Sequence, residues 1–182
     1  MAEPGLPTLA TPRATLVPAT PDDVDALWAL FTDPVVRRFL WDDEIVARDR
    51  VAETVAAAAQ QNAEGRGLWT LRLHGADAIV GCVALLAVGA AAEFEPRMAG
   101  GVEVLVALVP AAQHRGHATE ALRAMIEYAF RALPIDALHA AVDVPNEASH
   151  RAMLRAGFGV LGESDGPRHR LRSYRLPRPA AR

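Results

Sequence analysis

Between Gln113 and Thr119 the chain reads Gln-His-Arg-Gly-His-Ala-Thr. An apolar run, Val102 to Val109, closed by Pro110, precedes it; after it, apolar positions recur at helical spacing at Ala118, Ala121, Leu122, Met125, Ile126, Ala129, Phe130 and Leu133. The pattern is strand, glycine-bearing turn, helix. Its chemistry would be anion binding. The first turn of a helix leaves backbone N–H groups without partners, the helix dipole adds positive charge there, and Gly116 has no Cβ to obstruct approach. A glycine between a strand and a helix can equally be only a turn, and spacing leaves both readings open. Two other phosphate motifs are absent: the turn holds no G-x-G-x-x-G, and the chain has no G-x-x-x-x-G-K-[ST] and no Lys, its nineteen basic residues all being Arg. One acid, Glu103, interrupts the apolar strand. A carboxylate in partly apolar surroundings gains basicity and can accept a proton, whereas a solvated strand end would hold it with no such role. The six histidines and Cys82 show no metal-ligand spacing, so no metal is expected.

Strand, turn and helix together resemble the acetyl-coenzyme A signature Q/R-x-x-G-x-G/A of the GNAT superfamily of N-acetyltransferases, with Gln113, Gly116 and Ala118 at its positions. A second motif, Asn146 to Ser149 (N-x-x-S) followed by Gly157-Phe158, is similar to a subgroup that includes the ribosomal-protein alanine and serine N-acetyltransferases. So are Thr11-Pro12-Arg13, Pro21-Asp22-Asp23 and the run Asp33 to Leu40. The resemblance extends from about Arg13 to Leu176. It implies an α/β fold of the GNAT (acyl-CoA N-acyltransferase) type, with a mixed, mostly antiparallel central sheet flanked by helices. The activity it implies is direct transfer of acetyl from acetyl-CoA to a primary amine, on a protein N-terminus or a small molecule.

The same resemblance assigns roles. Backbone amides of Arg115, Gly116, His117, Ala118 and Thr119 would hold the pyrophosphate, Val104, Leu105 and Val106 would hold the pantetheine arm like an added strand, and Asn146 would bond the arm from the neighbouring strand. A strand N–H near Leu105 or Val106 would stabilise the thioester oxygen as it becomes negative. Glu103 becomes the base that deprotonates the amine and Ser149 the acid that protonates the leaving thiolate. Trp41 lies where the family places acceptor contacts. For Ser149 the rival role is a first-turn helix residue bonding backbone, and for Trp41 it is core packing. Many members outside the subgroup place a Tyr seven residues after the Asn; here Met153 stands there, a core-packing type, and Tyr128 reads as structural. The alternative function is a non-catalytic GNAT-like module binding acyl-CoA or a protein partner; only Glu103 and Ser149 favour chemistry over it.

The rest of the chain supplies the elements that position these residues. At 182 residues it is most simply one domain, read as residues 13–176 between a mobile N-terminal tail (1–12) and a C-terminal tail (177–182). Ala14 to Val17 is a strand, and Thr20-Pro21-Asp22-Asp23 starts a helix with Val24, Leu27, Trp28 and Phe31 on one face. Asp33-Pro34 ends it. Asp42-Asp43 opens a second helix running to Ala63, with Gly65 at its cap. Trp69 to Leu73 and Ile79 to Ala87 form a hairpin, and Gly89 to Gly101 reads as a long loop. Leu138 to Val144 is a strand, Asn146 to Ala156 a helix with Gly157 at its cap, and Phe158 to Leu161 pairs with Leu171 to Leu176.

Hydrophobic residues make up 51% and aromatics only 5%, so Ala, Val and Leu must fill the core. A net charge of −3 and a pI near 6.1 supply no pull towards nucleic acid. One cysteine, no membrane-length apolar run and no leader-like N-terminus point to a cytoplasmic protein with no membrane partner; whether it is a monomer or homodimer the sequence leaves open.

Overall fold

The computed structural model describes residues 5–180, and an eight-stranded sheet runs through them. In chain order the elements are β1 (Leu9–Ala10), β2 (Ala14–Pro18), α1 (Val24–Thr32), α2 (Pro34–Arg37), α3 (Arg48–Ala59), β3 (Gly67–Leu73), β4 (Ile79–Ala87) and α4 (Ala91–Phe94). After these come β5 (Val102–Leu108), α5 (His117–Ala132), β6 (Ala137–Asp143), α6 (Glu147–Arg155), β7 (Gly159–Asp165) and β8 (Arg170–Pro177). The sheet order is β1-β2-β3-β4-β5-β6-β8-β7. Every neighbouring pair is antiparallel except β5 and β6, joined through α5 as a parallel crossover.

Each face of the sheet buries its own core, as strand alternation requires. On one side α5 and α6 bring Ala121, Leu122, Met125, Ala129, Ala152 and Met153 onto Leu16, Trp69, Leu71, Val83, Val102, Val104 and Leu138. On the other, α1, α2 and α3 pack Leu27, Leu30, Phe31, Val36, Val51 and Val55 against Leu68, Cys82, Ala84 and Ala107. α6 is pinned to β8 by His150, whose Nε2 donates to the Val144 carbonyl at 3.0 Å while Nδ1 lies 2.7 Å from the Tyr174 hydroxyl. Tyr128 is structural, donating to the Gly65 carbonyl at 2.9 Å and meeting Trp69 edge-on. Among the described residues no helix is long and apolar enough to cross a membrane.

The ordered chain begins earlier than expected. Met1 to Pro4 lie outside the described residues, but Leu9 is buried, β1 pairs with β2, and the buried Trp69 indole N–H finds its acceptor in the Pro7 carbonyl at 2.8 Å. At the other end β8 reaches Pro177, and the Arg178 guanidinium donates to carbonyls of Phe130, Leu133 and Ile135, groups left open where α5 stops.

Three internal expectations also shift. Trp28 turns outward, its Nε1 bonding the Val46 carbonyl, and Leu30 takes the buried place. The second long helix starts at Arg48, because Trp41, Asp42 and Asp43 sit in the left-handed region at φ of 56°, 52° and 64°, which no right-handed helix accepts. The segment expected as an open loop holds α4 and a tight turn, Pro96–Met98, with Met98 fully buried. Glu95 is buried there too, because the Arg97 guanidinium bonds both its oxygens, at 2.8 and 2.6 Å, and holds its carboxyl below the usual range.

Candidate active site

The turn before α5 has a backbone shape that suits an anion. His114 and Gly116 have φ of +58° and +87°, so the backbone curls and its N–H groups converge. The Glu120 N–H bonds the Gly116 carbonyl at 3.1 Å as the first bond of the helix, so the amides of His117, Ala118 and Thr119 precede the intrahelical ladder. No side chain caps this end. Gln113 ties the turn to its strand, its Nε2 donating to the Leu108 carbonyl at 2.9 Å. Gly116, His117, Ala118 and Thr119 line a cleft of about 610 Å³, and buried His117 presents an Nδ1 with no partner.

The cleft exists because β5 and β6 part. Their register holds for two pairs only, Val102 with Leu138 and Glu103 with His139. Beyond these, Val104, Leu105 and Val106 are paired with β4 alone and line the cleft, so alternate backbone groups on their other side face the gap. Glu103 sits at the apex. One of its oxygens accepts the Ala141 N–H at 3.1 Å, a side-chain bond in place of the next ladder rung. Burial pushes the Glu103 carboxyl above its ordinary value, offset in part by that N–H.

The opposite wall of the gap is the start of α6. Asn146 caps this helix by accepting the Ser149 N–H at 3.2 Å, which leaves its amide nitrogen for a ligand. Ser149 and Met153 line the cleft as well, although Met153 is also core. Every residue expected in the site borders this space except Arg115, which is exposed.

Another part of the cleft wall is built from separate segments. Trp41 both lines it and packs on the second core, 6.0 Å from Phe31, so its two readings are compatible. Asp42, Asp143, Phe39, Phe94 and Pro167 join it, none of them anticipated. Asp143 closes β6, three residues before Asn146. Burial, with Asp42 nearby, raises its carboxyl while His169 and Arg168 oppose that. The left-handed Trp41–Asp43 turn is held by Arg37, donating to the Asp43 carbonyl at 2.6 Å, and by Arg168, 3.0 Å from the Asp43 carboxylate. Among the described residues no group of three or more His, Cys, Asp or Glu is placed to hold a metal.

The chain matches the acetyltransferase (GNAT) domain family over residues 13–159. It is 28% identical over 159 residues to the uncharacterized N-acetyltransferase YoaA of Bacillus subtilis (strain 168), covering 85% of this chain and 86% of that one. Among solved structures it is similar to an acetyl transferase from Salmonella typhimurium that modifies the N-terminal serine of 50S ribosomal subunit protein L7/L12, with a TM-score of 0.75, 16% identity, and 94% and 99% of the two chains covered. It is also similar to YncA from Salmonella typhimurium, solved with its cofactor acetyl-CoA, with a TM-score of 0.70, 19% identity, and 92% and 95% covered. At these identities the solved structures establish the fold.

Proposed function

Because this chain belongs to the GNAT acetyltransferase family, we propose that acetyl-CoA lies along its cleft and that Glu103 draws the proton from a primary amine as the acetyl group passes directly to it. The observation that carries this reading is one continuous cleft with an anion nest at one end, an unpaired strand edge along its middle and a buried carboxylate at its apex. The donor fits by chemistry. The amides of Gly116 to Thr119 match a pyrophosphate, and the free edge of Val104 to Val106 matches the amides of a pantetheine arm. YncA is a relative solved with this donor.

In the transfer, the amine nitrogen attacks the thioester carbonyl, and a β5 N–H at Leu105 or Val106 stabilises the oxygen as it becomes negative. The C–N bond forms, the C–S bond breaks, Glu103 takes the amine's proton, and Ser149 supplies one to the departing thiolate, the serine then regaining a proton from solvent as Glu103 releases its own, so that the enzyme is unchanged. Asp42 and Asp143 make the acceptor end negative, which suits an amine arriving as an ammonium. An α-amine with pKa near 7.8 is roughly 15% neutral at pH 7, whereas a lysine amine near 10.4 is below about 0.1%, so an N-terminus asks less of the base. N-terminal serine is the group modified by the Salmonella relative. The single cysteine, Cys82, is buried, its thiol pushed up to about 12, so it takes no part in the chemistry.

Thiol release from acetyl-CoA, followed with a panel of peptides, polyamines and aminoglycosides, tests the reading. Turnover with one class of amine supports it. Tight acetyl-CoA binding with no turnover on any member would favour a non-catalytic acyl-CoA module.

A further inference from the structure

We propose that Arg13 is a positioning residue for the phosphate-binding turn: it pins the Arg115 carbonyl and so keeps the Gly116 N–H aimed into the cleft. The inference rests on the acetyl-CoA site proposed above. Arg13 lies immediately before β2, far from the turn in sequence, on backbone fixed by the His74 N–H bonding its carbonyl at 3.0 Å. Its guanidinium reaches the turn and grips it on both sides of Gly116. One terminal nitrogen donates to the Arg115 carbonyl at 2.6 Å, and Nε donates to Glu120 Oε1 at 2.9 Å. Glu120 in turn makes the first backbone bond of α5, to the Gly116 carbonyl.

The consequence follows from peptide geometry. In a planar trans peptide the carbonyl and the N–H of the next residue point in opposite directions, so fixing the Arg115 oxygen on Arg13 directs the Gly116 N–H the other way, where Gly116 lines the cleft. Gly116 itself cannot make this choice. A glycine accepts positive and negative φ about equally, so the preceding peptide can rotate at little cost and present its carbonyl, a repelling group, to the phosphate. Arg13 selects the rotamer that binds. The fit is close: a Cβ on Gly116 would lie 3.0 Å from the Arg13 guanidinium, which therefore covers the open side of the glycine.

Calorimetry with acetyl-CoA on Arg13→Ala and Arg13→Lys tests this, together with steady-state kinetics using S-acetylpantetheine, a donor without the pyrophosphate. Arg13→Ala is expected to weaken acetyl-CoA by about tenfold, the size of a lost charge-assisted hydrogen bond. Arg13→Lys is expected to fall close to it, because an ammonium keeps the charge but lacks the fork that holds two oxygens. KM for S-acetylpantetheine, and kcat with acetyl-CoA at saturation, stay within about twofold of wild type for both variants, as binding alone is altered. Unchanged acetyl-CoA affinity in Arg13→Ala overturns the proposal. So does full rescue by Arg13→Lys, which would make the role one of charge, and so does equal loss for the two donors, which would make it general destabilisation. If Arg13→Ala does not fold, Glu120→Gln, which loosens the other half of the grip, gives the same donor-selective change at smaller size; no change there overturns the proposal. Wild-type protein that fails to bind acetyl-CoA at all would instead remove the underlying site.

Discussion

Replacing Glu103 by Gln separates its two contributions. The amide keeps a carbonyl oxygen to accept the Ala141 N–H, now at 3.1 Å, so the apex of the cleft and its splay should survive. What is lost is the ability to take a proton at neutral pH, typically worth about 10² to 10⁴-fold in rate. Acetyl-CoA affinity, set at the turn and along β5, should not move. Without a base the variant depends on amine already neutral. For an α-amine, raising the pH from 7 to 9 lifts that fraction about sevenfold, and for a lysine-type amine about 100-fold, so the pH slope of the variant also reports the acceptor class. Stability should move the opposite way from rate. Burial raises the carboxyl of Glu103 in the fold, so its favourable contribution is full below the ordinary glutamate value and is lost as pH rises through the raised one. At pH 7 the ionised side chain therefore costs stability that Gln does not. The variant should melt higher than wild type at pH 7 and converge with it below about pH 4. Stopped-flow or steady-state thiol release and melting curves on one preparation suffice. Activity within about twofold of wild type across pH 6 to 9 would remove Glu103 from the mechanism.

Gly116→Val places a branched side chain at φ of +87°, a conformation costing L-residues roughly 1–2 kcal/mol; where the free turn relaxes to relieve this and must return to it on binding, acetyl-CoA should bind about 5- to 30-fold more weakly by calorimetry on folded protein. An unchanged dissociation constant would detach the turn from the donor site. Ser149→Ala keeps the backbone N–H that Asn146 caps, and should lower kcat by about 10²-fold, the low end for acid catalysis because a thiolate leaves readily, with acetyl-CoA affinity preserved. A lower melting point at unchanged rate would pass the acid role to a bound water. Trp41→Ala should raise the acceptor's KM and leave acetyl-CoA binding alone; if melting falls while KM holds, Trp41 is a core residue only.

The side of the cleft formed by β5 and the turn before α5 was legible because its signals are local. An apolar strand, a glycine and a helical stripe follow one another within about thirty residues, and β5 and α5 lie where the periodicity places them. The wall around Asp42 and Asp143 was not. Asp42, Phe94, Asp143 and Pro167 come from four separated segments, and no local pattern marks them as neighbours. Asp42-Asp43 misled in a definite way: acids suit a helix start, yet Asp also tolerates the left-handed region, and Arg37 and Arg168 hold it there through contacts made only in the fold. The left-handed His114 carries no sequence signal of its own, because Gly116 two residues on already supplies the positive φ that such a turn requires. Leu9 was hidden by the Pro, Ala and Thr around it, although one apolar residue suffices to seat a two-residue strand.

The parting of β5 from β6 gives the sheet two extra edges that face each other inside the molecule. An open edge is ordinarily a liability, because any extended polypeptide can pair with it and seed aggregation. Here the two edges meet after two rungs, so the wedge between them narrows to nothing at Glu103. A second protein strand, with side chains on both faces, is too thick to travel far into such a wedge. A thin, unbranched chain carrying amides at strand-like intervals is not. The same geometry that would admit the proposed pantetheine arm thus protects the exposed hydrogen-bonding groups from other proteins, and the sheet is left incomplete in the one place where only a slender guest can complete it.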